Sequence, residues 1–98
     1  MKCYEAKLLT KDDLRRKLII YAFRLEQAEI LAEAYPLDGV TDVKVSVVKD
    51  KKAIETKNRF VVRYGSEANF LKKEIDALNV MRIRCGKEPI DIVRVTLY

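Results

Sequence analysis

The stretch Leu18-Ile19-Ile20-Tyr21-Ala22-Phe23 constrains this chain more than any other. Six consecutive apolar residues cannot share one side of a helix, and a helix built on them would be apolar all round. The run is also far too short to cross a bilayer, which takes about 20 residues. Ile19, Ile20, Tyr21 and Phe23 carry β-branched or aromatic side chains, which suit a pleated sheet better than a helix. A strand over residues 15–23 is therefore expected. It returns a first strand over residues 3–9, where Cys3, Glu5, Lys7 and Leu9 alternate with Tyr4, Ala6 and Leu8, through a turn at Lys11-Asp12-Asp13. One competing reading remains open. Leu14, Leu18, Tyr21, Leu25, Ala28, Ala32 and Tyr35 recur at helical spacing, and Thr10 with Asp13 would cap a single helix over residues 12–35.

Past this stretch the pattern is simpler. Leu25, Ala28, Leu31, Ala32 and Tyr35 share the face of a helix that starts near Arg24, with Glu26, Gln27, Glu29 and Glu33 on its wet side. Pro36 stops it and Asp38-Gly39 turns the chain. Residues 40–48 read as a strand on the alternation of Val43, Val45 and Val47 with Asp42, Lys44 and Ser46. After a charged turn at Lys49-Asp50-Lys51-Lys52, a short strand over 54–57 and another over 59–64 are expected, with 59–64 returning antiparallel to 40–48 through a long basic loop that carries Lys49, Lys51, Lys52 and Lys57. Ser66 caps a second helix, with Phe70, Leu71, Ile75 and Leu78 inward and Lys72, Lys73, Glu74 and Asp76 toward water. Met81 and Cys85 continue that stripe toward a cap at Gly86; alternatively, residues 81–85 form a strand. A last strand is expected over Ile90–Tyr98.

These elements predict an α+β fold in a single domain over residues 1–98: an antiparallel or mixed sheet with two helices packed on one face. If residues 12–35 formed one helix, the order would be βαββαβ, the ferredoxin-like plan.

The chemistry open to the chain is narrow. It contains no His, which removes Ser-His-Asp, Cys-His and His-based acid–base machinery. Cys3 and Cys85 are far apart in sequence and form no CxxC pair, so no zinc site is expected. Gly39, Gly65 and Gly86 are isolated and make no phosphate-binding loop. Asp12-Asp13 and the Glu26, Glu29, Glu33 stripe read as solvated surface. No enzyme, cofactor or metal is expected. The first residues lack an apolar leader core and no run spans a membrane, so a reduced, cytoplasmic protein is expected.

Charge points to a partner. Lys and Arg number 20 against 15 for Asp and Glu, a net of +5, and an excess of base favours acidic partners. The cations cluster: Arg15-Arg16-Lys17; then Lys49, Lys51, Lys52 and Lys57; then Arg59 and Arg63; then Arg82, Arg84 and Lys87. Arginine forks suit phosphates. The set expected to meet a nucleic acid or other anionic partner is Lys51, Lys52, Arg59, Arg63, Arg82 and Arg84. The competing view is that interleaved acids make an ordinary mixed surface. Tyr4, Tyr21, Phe60 and Tyr64 fall on expected strands and read as core rather than as base-stacking platforms.

The segment Tyr21 to Pro36 resembles a pattern of small phage and prophage proteins, in which a hairpin leads into an alanine- and glutamate-rich helix and then a strand. The resemblance covers about residues 3–48. Arg24 departs from the Ser or Asp such proteins place at the helix cap. The resemblance implies an accessory protein that binds host or virion components and brings no catalytic residue. Together these readings predict a non-enzymatic basic binding protein that docks on nucleic acid or nucleoprotein. The alternative is an inhibitor or assembly component working through protein contacts. A terminal strand at a sheet edge would pair two copies of the chain.

Overall fold

The hairpin forms as the alternation requires. In a computed structural model that describes residues 1–97, apart from the side chains of residues 53 and 57, strand β1 (Lys2–Thr10) pairs antiparallel with β2 (Arg15–Ala22). Thr10 closes the turn: its N–H donates to the Leu14 carbonyl at 3.0 Å, and its Oγ1 accepts from the Leu14 N–H at 3.1 Å. Asp13 adopts φ 58°, a left-handed position that Asp tolerates better than most residues. The apolar run is thus a strand, and the single helix over 12–35 and the ferredoxin-like order built on it do not occur.

Helix α1 (Leu25–Ala34) follows. Arg24 supplies no side-chain cap. Gln27, buried at the third helical position, instead turns Oε1 back to accept from the N–H groups of Phe23 (2.9 Å) and Arg24 (3.2 Å). Strand β3 (Val40–Val47) then pairs antiparallel with β1, giving the order β2-β1-β3. Tyr4, Ala6 and Leu8 on one sheet face are all buried, and Tyr4 packs with Ala22 and with Ala28 of α1. The buried alanines of α1 let the helix approach the sheet closely.

The second half is more helical than its sequence suggests. Residues expected as strands over 54–57 and 59–64, the second returning to pair with 40–48, form helix α2 (Lys51–Tyr64) instead. Asp50 caps it by accepting from the Lys52 N–H at 3.1 Å, and Gly65, at φ 78°, ends it with its N–H on the Val61 carbonyl at 2.9 Å. The helix places Phe60 and Tyr64 one turn apart, where both reach Phe70. Helix α3 (Glu67–Arg84) starts at Ser66 as expected and absorbs residues 81–84. It closes with the Gly86 N–H on Ile83 and the Lys87 N–H on Arg82, a Schellman motif around Gly86 at φ 74°.

The expected last strand is also a correction. Asp91 caps a short helix, α4 (Ile92–Thr96), and Tyr98 lies outside the described residues. Ile90 finds no ladder. Asn79 of α3 serves its backbone instead, donating Nδ2 to the Ile90 carbonyl (2.9 Å) and accepting its N–H on Oδ1 (2.8 Å). Ile90 and Val95 thereby join Leu31, Ala34 and Ile75 in the core.

The class is α+β with an antiparallel sheet, carrying four helices among the described residues in place of the expected two on one face. A radius of gyration of 13.4 Å matches one compact body of this length, about 13 Å. Phe70, fully buried, joins the halves: Tyr21 and Phe23 meet it from the hairpin side, Phe60 and Tyr64 from α2, at centroid distances of 5.6–6.4 Å. The aromatics are core, as expected, although Phe60 and Tyr64 reach it from a helix. Phe60 touches Tyr21, the cross-strand partner of buried Cys3. Helix α2 therefore lies over the Cys3–Tyr21 end of the sheet face opposite α1.

Candidate nucleic-acid interface

The rest of that second face is open, and strand register decides what it carries. Lys7 lies directly across from Lys17 on β2 and from Lys44 on β3. Three lysines thus form one rung across the whole sheet, over about 10 Å at normal strand spacing. All three are exposed. The next rung toward the hairpin holds Arg15, Leu9 and Asp42, and the rung on the other side holds Ile19, Glu5 and Ser46. Arg15, Arg16 and the lysine rung line a shallow concavity of about 570 Å³.

Like charges placed directly opposite in a sheet are destabilising. Only partial compensation is present: Glu5 Oε1 lies 3.0 Å from Lys17 Nζ. Asp42 sits diagonally from Lys7. Two acids, Glu5 and Asp42, flank the rung on the same face, and Asp42 lines the concavity with the lysines, so the face is mixed with base in excess. Exposed Glu26, Glu29 and Glu33 belong to α1, on the other side of the sheet. Arg94 stands with those three glutamates around a shallow concavity.

The residues expected to make the contact are placed apart. Lys51 and Lys52 occupy the first turn of α2, exposed. Arg59 and Arg63 are exposed further along α2, and helical spacing puts Lys52, Arg59 and Arg63 on one stripe. The Arg63 guanidinium stands 5.4 Å from the Tyr64 ring centroid. The side chain of Lys57 lies outside the described residues. Arg84 is exposed in the last turn of α3. Arg82 is partly buried and holds the fold together: Nε donates to the Glu88 carbonyl at 2.7 Å, and Nη1 donates to the Ala34 carbonyl at the end of α1. Two of its N–H donors are thereby engaged within the protein.

Sequence reasoning left Lys7, Lys17 and Lys44 out of the expected contact set, although it marked Arg15-Arg16-Lys17 as a cluster. Each sits at an ordinary polar position of an alternating strand, and only the pairing register brings them side by side. Two other expectations change. Glu74, read as water-facing, is half-buried, and burial raises its carboxyl pKa above the ordinary value. Cys3 is buried and Cys85 exposed, with no disulfide between them. Among the described residues no helix is long and apolar enough to cross a membrane, and no group of three His, Cys, Asp or Glu side chains is placed to hold a metal ion. The chain matches no protein-family model, no curated protein and no solved structure.

Proposed function

We propose that this protein binds nucleic acid through the phosphate backbone, using the open sheet face as its platform. The observation that carries the reading is the Lys17-Lys7-Lys44 rung. It places three like charges where a sheet gains nothing from them. A polyanion laid across the rung turns that internal repulsion into a binding surface, and Arg15 extends it by one rung. The α2 cations Lys52, Arg59 and Arg63 would continue the contact, since α2 covers the other end of the same face. No aromatic ring is presented beside the rung, so the contact is electrostatic and carries no base readout. This accords with an accessory role of the kind that the resemblance to phage proteins implies.

The test is anisotropy of a labelled oligonucleotide of arbitrary sequence, single- and double-stranded, across a salt series. The four sheet-face contacts alone, from Lys7, Lys17, Lys44 and Arg15, give a slope of log K against log salt of about −3.6 on duplex and about −2.8 on single strands, steeper with each of Lys52, Arg59 and Arg63 that joins them. That corresponds to a loss of about 150-fold on duplex between 50 and 200 mM salt. A flat salt profile, or no binding at 50 mM, rejects the reading.

A further inference from the structure

Strand β2 is an edge: β1 pairs with one side of it, and no strand among the described residues pairs with the other. The hairpin closes with the Thr10 N–H on the Leu14 carbonyl, and antiparallel pairing alternates strictly from there. Arg16, Leu18 and Ile20 therefore turn their backbone groups toward β1, while Lys17, Ile19 and Tyr21 turn theirs outward. Helix α3 runs beside this edge without closing on it. A groove of about 200 Å³ separates the two, with Ile19 on the strand side, Glu74, Leu78 and Met81 on the helix side, and Leu31 and Tyr35 of α1 completing it. Ile19 is 54% exposed and Met81 41%, large apolar side chains left at the groove's mouth.

Glu74 gives the groove its chemical preference. It is the one ionisable carboxylate in an otherwise apolar lining, it is half-buried, and no cation among the described residues pairs with it. Burial disfavours its charged form, as the raised carboxyl pKa reflects. A neutral or acidic ligand would leave that carboxylate desolvated and unpaired. A basic side chain with an aliphatic stem satisfies both parts of the lining, the stem against Leu78 and Met81 and the charge against Glu74.

We propose that the groove between β2 and α3 takes an extended peptide segment that adds to β2 as a fourth strand and sets a lysine or arginine side chain beside Glu74. The outward N–H and C=O groups of Ile19 and its neighbours supply the main-chain hydrogen bonds, and alternate peptide side chains fall into the groove. This site prefers a cationic partner, whereas the lysine rung prefers an anionic one, so the two are separable by ligand charge.

The test is a titration of the full 98-residue chain, isotopically labelled, with a terminally blocked seven-residue valine–threonine peptide carrying one central lysine. Matched peptides have norleucine or glutamate at the centre. The expected result is backbone amide shifts at Lys17, Ile19 and Tyr21 and along α3 near Glu74, with the lysine peptide tightest. Glu74→Gln should weaken the lysine peptide at least about tenfold while leaving the norleucine peptide unchanged. Ala77→Arg, at an exposed position in the groove lining, should abolish binding of all three by filling the groove and supplying its own cation. Amide dispersion of each variant in the same spectra reports folding. Shifts confined to Lys7 and Lys44, tighter binding of the glutamate peptide, or no saturable shift with any peptide would overturn the proposal.

Discussion

Replacing Lys7 with Gln should move stability and binding in opposite directions. Lys7 is the middle of the rung, with Lys17 across one strand pair and Lys44 across the other. Taking a separation of about 6.5 Å between ammonium groups on flexible stems, each pair repels in water by about 0.6 kcal/mol. At 0.1 M salt, with a screening length of about 10 Å, that falls to about 0.3 kcal/mol per pair. Removing the middle charge relieves both pairs and should stabilise the fold by about 0.7 kcal/mol. For a domain of this size that raises Tm by about 4 °C. Gln keeps nearly the length and the polar character of Lys, so the change is one of charge. In the anisotropy assay the same variant loses one phosphate contact. The duplex salt slope should become shallower by about 0.9, and affinity at 50 mM salt should fall by about tenfold. Thermal melting at 50 and 500 mM salt, beside the anisotropy series, checks both halves. The gain in Tm should shrink at the higher salt. A variant that melts no higher and binds with an unchanged slope would refute the reasoning, because the rung would then be neither strained nor used.

Other expectations follow from particular contacts. Arg82→Ala leaves the Ala34 and Glu88 carbonyls without their guanidinium donor and should cost about 1–3 kcal/mol in denaturant unfolding. It should leave the oligonucleotide salt slope unchanged, which separates this arginine from Lys7. Phe70→Ala removes the ring that four other aromatics share and should cost about 3–5 kcal/mol, with loss of near-ultraviolet dichroism as the chain loosens. Glu74 gives a pH signature. Its raised pKa means that the native state holds the proton more tightly than the unfolded chain does, so the stability this group contributes at low pH is lost as pH rises above the ordinary glutamate value. Glu74→Gln should flatten that decline and melt higher than the parent at neutral pH; an unchanged pH profile would exclude the burial.

What the sequence by itself determined is the local half of this protein. Leu18 to Phe23 favoured a strand over the long helix that the wider spacing also allowed, the valines at 43, 45 and 47 alternated as a strand must, and Ser66 opened a helix that Gly86 or a strand over 81–85 would end. Each of those signals lies within a few residues of what it specifies. Residues 54–64 read as strand on Phe60-Val61-Val62, and Asp50 and Gly65 show themselves as helix cap and stop only in the structure. The choice fell to Phe70, which binds Phe60 and Tyr64 only when they stand one helical turn apart. The terminal segment turned on Asn79, whose side-chain amide satisfies the Ile90 backbone and removes the need for a ladder. The interface lay further still from the sequence. Lys7, Lys17 and Lys44 are separated by 10 and 27 positions in the chain, and each is unremarked where it stands. Pairing register alone sets them in a row, and register is fixed by burying Tyr4, Ala6 and Leu8 beneath α1, because a one-residue slip would turn those side chains to solvent and carry the lysines into the core.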